Sequence, residues 1–220
     1  MVLAPDPRDV LGPAMPPRTG LAAPFAQSIR WDRQRIRGIR LAIKVELNRC
    51  AGGARLWAVV KADAYGLGLE TIVRACASEG TETFFTATLT EARIVRQALP
   101  GVAIYVLDGL LPGAAPHYAG FDLRPCLGSL AEIEEWAAFC RATGRRLHAA
   151  VHVDTGMNRL GLPAAEVEAL AAHPEHLKDF ELALVMSHLA CADEPDNPMN
   201  ARQKTLFDHL RAKLPVAPAS

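Results

Sequence analysis

Short apolar runs recur along the chain, separated by stretches whose apolar residues follow helical spacing. Each run has the length of a buried strand and is bounded by glycine, proline or polar residues. We predict strands at residues 56–60, 83–87, 103–107, 122–126, 147–153 and 182–186. Strands that alternate with helices pair in parallel through right-handed crossovers, so the pattern predicts an α/β fold with about six strand–helix units.

The segments between these runs carry helix signals. After the first strand, apolar residues recur at the spacing of one helix face: Leu69, Ile72, Val73 and Cys76. Ser129 and Glu132 stand three residues apart before another apolar stripe, which predicts a capping box at the start of a helix. Further helices are predicted at 90–99, 163–172 and 200–213.

The first part of the chain has a different pattern. Residues 1–28 contain six prolines and little periodicity, which predicts a flexible tail; the continuous apolar core of a secretory signal is absent there. A short strand is predicted at 29–32, and a helix rich in arginine begins at residue 33. Its basic surface could bind a membrane or an anionic ligand, but a solvated outer face is the interpretation we favour, since the whole chain is neutral.

Composition excludes several classes of protein. The chain has 24 basic and 24 acidic residues, so no net charge favours binding to nucleic acid or to an anionic membrane. Half of its 220 residues are hydrophobic, which suffices for one domain with a sizeable core, and no apolar run is long enough to span a bilayer. The five cysteines are scattered, without a C-x-x-C pair, and predict reduced thiols in a cytoplasmic protein, with no disulfide framework and no zinc site.

The segment AVVKADAYGLG, residues 58–68, places Lys61 at the end of a short strand, and Gly66 and Gly68 follow it. A lysine at the carboxyl end of a strand in an α/β fold points into the mouth of the sheet or barrel, where burial lowers its pKa and its amine can attack a carbonyl. The alternative is a lysine that only caps a strand edge. The motif by itself does not separate the two interpretations.

Two later segments carry polar residues after predicted strands. Arg159 lies in a loop flanked by glycines, where its guanidinium could bind an acidic oxygen of a ligand or form a surface ion pair with Asp154 or Glu166. His188 follows the apolar strand at 182–186 and could face the same mouth. A lone histidine in such a place is also often a core residue with one satisfied nitrogen.

Together, these segments carry a family resemblance. AVVKADAYGLG resembles the pyridoxal 5'-phosphate attachment segment of the alanine racemases. The segment HVDTGMNRLG at 152–161 is similar to a second motif of that family, and SHLACAD at 187–193 is similar to a third. The resemblance covers roughly residues 29–214 and implies the N-terminal part of a (β/α)8 TIM-type barrel, with the cofactor at its carboxyl-terminal mouth.

The resemblance also implies roles for particular residues. Lys61 would hold the cofactor as a Schiff base and act as one of two catalytic bases in the interconversion of L-alanine and D-alanine. Tyr65 would bind the cofactor phosphate, Arg159 its phenolic oxygen and the substrate carboxylate, and His188 would lie near the pyridine ring. Apolar walls would come from Val59 and Leu107. His152 stands where several members carry a lysine that becomes carbamylated, so the support of Arg159 must differ here.

Some parts that the resemblance implies have no counterpart in the sequence. We expect about six of the eight barrel units within these residues, the C-terminal β-domain outside them, and a truncated end at residues 215–220. In the family, the second base is a tyrosine from the partner subunit of a homodimer, and a serine loop that binds the phosphate would begin just after Ser220. We therefore expect little or no turnover from this chain alone.

Three functions remain open from the sequence. The first is an alanine racemase by family. The second is a non-catalytic or vestigial module that binds pyridoxal phosphate but lacks the second base. The third is a related enzyme, such as a serine or broad-specificity amino-acid racemase; the motifs argue against the D-threonine aldolases. In each case the ligand is a small molecule.

Overall fold

A computed structural model describes residues 54–220 of the chain. The proline-rich tail predicted at 1–28, the strand predicted at 29–32 and the basic helix predicted from residue 33 lie outside the described residues. The described part has the predicted alternation of strands and helices.

The strands form one parallel sheet in sequence order. Each strand pairs with the next one along the chain, as in a (β/α) barrel, which confirms the predicted fold class. The six strands are β1 Ala58–Val59, β2 Thr83–Thr86, β3 Ala103–Val106, β4 Arg124–Leu127, β5 His148–His152 and β6 Glu181–Met186.

Helices cover the outer face of the sheet. They are α1 Leu69–Ser78, α2 Leu89–Ala98, α3 Ala115–Gly120, α4 Leu130–Thr143, α5 Ala164–Ala172 and α6 Pro198–Arg211. The sequence did not predict α3 or the 3-10 helix Pro174–Leu177, because elements of this length are too short to show a helical period. Across the described residues, none of the helices combines the length and apolar character needed to cross a bilayer.

The last residues of the sequence pair with β6. Val185 donates its backbone N–H to Pro218 at 2.9 Å, and Ser220 donates back to Val185 at 3.1 Å. Ser187 also donates to the carbonyl of Ser220 at 3.0 Å. Residues 218–220 therefore lie beside β6 as a further parallel neighbour, a pairing that the sequence analysis did not predict.

The strands bury both faces, as a barrel requires. Alternation along β2 and β3 sends Phe84 and Ile104 outward against the helices, and Phe85 and Tyr105 inward. The Phe85 and Tyr105 rings stack with centroids 5.0 Å apart, and the Trp57 ring lies 5.9 Å from that of Phe85. The inner cluster consists of Phe85, Tyr105, Cys126, Ala150, Leu184 and Met186. This cluster forms an apolar floor inside the sheet, beneath the strand ends.

Caps fix the starts of the helices at that end of the sheet. At α4, Ser129 accepts the N–H of Glu132 as predicted, but the Glu132 carboxylate accepts the N–H of Gly128 at 2.8 Å. A capping box predicts that the Glu132 carboxylate accepts the N–H of Ser129. In the structure it accepts the N–H of Gly128, one residue earlier. A reciprocal capping box that the sequence analysis missed stands at α2, between Thr88 and Glu91.

Candidate active site

Lys61 follows β1 directly and begins a left-handed turn. The turn spans Lys61–Gly66, and its backbone φ angles are positive for Ala62, Asp63, Ala64 and Tyr65, between 52° and 56°. L-residues reach this region at a cost on the order of 1 kcal/mol each, so neighbouring contacts must stabilise the turn. Gly66 and Gly68 continue it with φ values of 79° and 91°, as their place in the motif suggested.

Two carboxylates hold this turn through the backbone. Asp63 accepts the N–H of Leu69 at 2.7 Å and so caps α1. Glu91 accepts the N–H of Asp63 at 3.2 Å and, through its other oxygen, the N–H of Ala87 at 3.0 Å. Because Glu91 also belongs to the capping box of α2, one side chain ties the loop after β1 to the loop after β2. The position of Lys61 is thus set by two carboxylates that bind backbone N–H groups of the turn and of the neighbouring loop.

Arg159 projects from a loop that closes on itself after β5. The carboxylate of Asp154 accepts the N–H groups of Gly156 at 2.9 Å and Asn158 at 3.1 Å. The ends of the loop are joined by hydrogen bonds from Asp154 N to Leu162 O and from Leu162 N to His152 O, both 2.8 Å. Hydrogen bonds within the loop therefore hold it closed, and Arg159 projects from it at the mouth of the barrel.

Glycine is required at the point where this loop closes. Gly161 has a φ of 106°, and a Cβ there would lie 2.8 Å from the backbone nitrogen of Asp154. Arg159 itself makes no ion pair with a carboxylate anywhere in residues 54–220, so the predicted alternative of a pair with Asp154 or Glu166 is wrong for the described chain. A guanidinium without a carboxylate is free to bind an anionic ligand.

A polar network joins the Arg159 loop to the loop after β6. The hydroxyls of Thr155 and Ser187 lie 2.7 Å apart. Gln203, on α6, donates to the Thr155 hydroxyl at 3.2 Å and to the His188 carbonyl at 3.0 Å, and accepts the N–H of Ala190 at 2.9 Å. Helix α6 therefore holds both polar loops through Gln203. In the sequence, a polar residue on the predicted helix was the only sign of this role.

One cavity of about 610 Å³ opens at the carboxyl ends of the strands. Its lining includes all six of the residues predicted for a site: Val59, Lys61, Tyr65, Leu107, Arg159 and His188. These residues come from four separate segments of the chain, so the structure brings the predicted set together. Further lining residues that the sequence analysis did not propose for the site include Trp57, Phe85, Asp108, Leu160, Ser187 and Ser220.

Above its apolar floor, the cavity is lined by more cations than carboxylates: Arg55, Lys61 and Arg159 against Asp108. Burial, followed by the nearby Arg159 and Lys61, lowers the pKa of His188. Burial and then His188 lower the pKa of His152 to about 4. Both imidazoles are therefore neutral at neutral pH. The charged groups that act on His188 are Arg159 and Lys61, and those that act on His152 include Asp154 and Arg159. This potential suits an anionic ligand.

The remaining lining residues add shape and hydrogen-bonding groups. Tyr65 is 63% exposed, and in the described part of the chain its hydroxyl bonds to no other side chain or backbone group. Val59 and Leu107 add apolar surface to the cavity lining, and Leu107 packs against the cluster that contains the stacked rings. Nowhere in residues 54–220 do three His, Cys, Asp or Glu side chains gather in a way that could hold a metal ion. The arrangement can bind a flat, anionic organic molecule next to a primary amine.

The amino-acid sequence is similar to those of known proteins. Residues 40–219 match the family model of the alanine racemase N-terminal domain. A curated alanine racemase from Methylobacterium sp. strain 4-46 is 52% identical over 170 residues, 77% of this chain and 46% of the relative. A catabolic alanine racemase from Mesorhizobium japonicum is 46% identical over 175 residues, 79% of this chain and 46% of the relative.

A solved structure has the same fold. The alanine racemase of Bartonella henselae, a crystal structure with covalently bound pyridoxal phosphate, is similar with a TM-score of 0.80 and 33% identity. The match covers 84% of this chain and 54% of that one. The chain spans about half the length of the curated relatives it matches.

Proposed function

The chain belongs to the alanine racemase family through its N-terminal domain, and we propose that it forms the cofactor-binding barrel of an enzyme that interconverts L-alanine and D-alanine with pyridoxal 5'-phosphate. The observation that carries this proposal is the shared cavity. The Lys61 amine, the unpaired Arg159 guanidinium and the neutral His188 imidazole line one pocket, although they stand far apart in the sequence.

The residues present fit the cofactor. A cavity of about 610 Å³ lies within the usual range for organic cofactors, and its apolar floor suits an aromatic ring. Lys61 supplies the primary amine that the aldehyde needs, and Tyr65 has a hydroxyl free to bind the phosphate. We further propose Arg159 and His188 as contacts of the cofactor, and Val59 and Leu107 as its apolar walls.

Each residue then has a task in the reaction. When bound, the cofactor withdraws electrons from the substrate Cα and makes its proton removable. Lys61 would take or return that proton on one face of the Cα. Arg159 would hold the substrate carboxylate, because a guanidinium without a protein carboxylate can bind one from a ligand. A neutral His188 would pack near the ring without adding a third positive charge.

Racemisation needs a second base on the opposite face of the substrate Cα, and two buried tyrosines are candidates for it. The Tyr105 hydroxyl accepts from Arg124 at 3.1 Å, and the Tyr118 hydroxyl donates to the carbonyl of Gly109. Burial raises the pKa of both hydroxyls, so both stay protonated at neutral pH and neither is available to accept a proton. We therefore propose that the second base comes from outside the described residues, from the partner subunit of a homodimer.

The cellular setting is also a proposal. Scattered cysteines without a C-x-x-C pair favour the reducing cytoplasm. The relatives include enzymes named simply alanine racemase and others named catabolic, so the enzyme could supply D-alanine for biosynthesis or consume it. In the source organism, deletion of the gene should impair growth without added D-alanine if the role is biosynthetic, and growth on D-alanine as a nutrient if the role is degradation.

The proposal is tested by trapping the cofactor. Purified protein incubated with pyridoxal phosphate and then reduced with borohydride should carry a phosphopyridoxyl group on the peptide that contains Lys61, detected by mass spectrometry. Lys61→Arg should abolish the label, because a guanidinium keeps the charge but forms no stable bond with the aldehyde. Lys178→Arg, a change of an exposed lysine, should leave it intact. Equal labelling of wild type and Lys61→Arg would refute the attachment site.

A further inference from the structure

A buried amide on α6 has its two ends assigned by its neighbours. Gln203 is only 2% exposed. Its oxygen must face Ala190, because a backbone N–H can only donate, and its NH₂ group must face His188, because a backbone carbonyl can only accept. The same NH₂ group donates its second proton to the hydroxyl of Thr155 at 3.2 Å. Every hydrogen-bonding direction at this side chain is thereby determined.

That assignment determines the direction of the next hydrogen bond. Thr155 is buried, and its hydroxyl accepts from Gln203. Within the described residues, the acceptor available for its proton is the Ser187 hydroxyl, 2.7 Å away. Donation to Ser187 satisfies Thr155 completely, whereas the reverse direction would leave a buried hydroxyl proton without an acceptor. The chain of donors therefore runs from Gln203 through Thr155 to Ser187.

Ser187 is the end of this chain, and it lies at the cavity. Its hydroxyl oxygen accepts a hydrogen bond from Thr155, so its own O–H is left to donate elsewhere. Ser187 lines the main cavity together with Lys61 and Arg159, and also a smaller cavity shared with His152 and Arg159. Its backbone is held by the hydrogen bond to Ser220 O. A donor fixed in this way has the arrangement of an oxyanion-binding group.

We propose that Ser187 is a ligand-binding residue that donates a hydrogen bond to an oxyanion in the cavity, and that Gln203 and Thr155 are positioning residues that orient it. The proposal rests on the proposed function for the identity of the oxyanion, which is either the phosphate of the cofactor or the carboxylate of the amino acid. Both have the same chemistry: a negatively charged oxygen that accepts from a hydroxyl. Arg159 supplies charge nearby, and Ser187 adds direction.

The test compares Ser187→Ala with Ser187→Thr, which keeps a hydroxyl, and with Ser78→Ala, a change of an exposed serine on α1. Affinities are measured by calorimetry with pyridoxal phosphate and with pyridoxal, which lacks the phosphate. If the phosphate is the partner, Ser187→Ala should weaken binding of pyridoxal phosphate roughly five- to tenfold and leave pyridoxal unchanged. If the carboxylate is the partner, the half-saturating L-alanine concentration of the loaded protein should rise by that factor. The two controls should stay within twofold of wild type.

Two further variants test the orientation. Gln203→Met and Thr155→Val keep the side-chain size but interrupt the donor chain, and each should weaken the same ligand roughly threefold. In a Ser187→Ala background they should have no further effect on affinity, which a purely structural role would not produce. If either variant fails to fold, the other supplies the same double-mutant comparison, and Ser187→Ala decides the binding role.

The outcomes separate this proposal from the proposed function. Unchanged affinity for pyridoxal phosphate and for L-alanine in Ser187→Ala would overturn the role of Ser187. Wild-type protein that takes up no pyridoxal phosphate would contradict the cofactor assignment alone. In that case inorganic phosphate and acetate are the probes: binding that Ser187→Ala abolishes supports the oxyanion site, and binding that it leaves unchanged refutes it.

Discussion

The lysine side and the arginine side of the cavity solve the same problem with different chemistry. On the lysine side, the carboxylates of Asp63 and Glu91 hold the loops by accepting backbone N–H groups. On the arginine side, the neutral amide of Gln203 and the hydroxyl of Thr155 join the two loops. Both sides therefore link the loops of adjacent strands through one side chain from a following helix.

The difference follows from what each side must leave free. Near Arg159, an ionised carboxylate placed between the loops would attract the guanidinium and compete with an anionic ligand. Asp154, the carboxylate of that loop, is instead occupied by the N–H groups of Gly156 and Asn158. On the lysine side, Glu91 lies in the first turn of α2 and Asp63 accepts the first N–H of α1, so each carboxylate complements the start of a helix. The comparison teaches that the nearby functional group decides which charge a structural contact can carry.

The comparison breaks most severely if the neutral amide is made a carboxylate. Gln203→Glu would direct an ionised oxygen at the His188 carbonyl in a buried site, and we expect a loss of about 4 kcal/mol in the free energy of unfolding at pH 8. Burial would raise the pKa of the new carboxyl group in the folded state, so the loss should shrink as the pH falls towards 5. Urea unfolding at the two pH values measures this. Gln97→Glu, at an exposed position of α2, should change stability little at either pH.

Acid should weaken the arginine side through His152. This imidazole is 7% exposed, and its pKa is lowered from 6.5 to about 4. The unfolded chain then binds a proton more readily than the folded one between these values, so stability should fall by up to roughly 3 kcal/mol as the pH drops from 6.5 to 4. His152→Gln should flatten this part of the pH profile, and His209→Gln, at an exposed site, should not. A profile that is unchanged in His152→Gln would exclude His152 as the source.

Glycine substitutions sharpen the contrast between the two loops. Gly161→Ala would force a Cβ against the backbone of Asp154 at positive φ, and we expect a loss of about 2 kcal/mol together with weaker ligand binding. Gly66→Ala, on the lysine side, meets no atom within 4 Å and should cost about 1 kcal/mol from its φ of 79° alone. Gly101→Ala, with neither constraint, is the control. Equal effects at Gly161 and Gly66 would contradict the close packing of the arginine loop.

The smallest expected effect is at the carboxylate of the lysine side. Glu91→Gln keeps one acceptor oxygen but turns an NH₂ group towards a backbone N–H, and we expect a loss of about 1 kcal/mol. Because the contact to Asp63 holds the left-handed turn, the yield of borohydride-trapped cofactor on Lys61 should also fall. Glu70→Gln, on the exposed face of α1 where the carboxylate pairs only with Arg74 among the described residues, serves as the matched control. A trapping yield equal to wild type would show that Glu91 does not place the lysine.

Local patterns carried much of the fold. Apolar runs such as 182–186 marked the strands, because a parallel sheet buries both faces and leaves no polar alternation. The stripe of Leu69, Ile72 and Val73 predicted α1 because a helix on a sheet buries one apolar face, and all three residues are buried in the structure. The short helix α3 escaped because six residues cannot display a period.

The amino-acid sequence by itself determined the alternation of strands and helices, the family motifs and the candidate residues, since these depend on spacing and residue type along the chain. Only the tertiary structure decided that the four segments share one cavity, that Ala62–Tyr65 turn left-handed, and that Gln203 joins two loops. Such features depend on contacts between residues far apart in the chain: Gln203 and Thr155 are 48 positions apart. A side chain's partner at that distance is set by how the helices pack on the sheet, which no local pattern records.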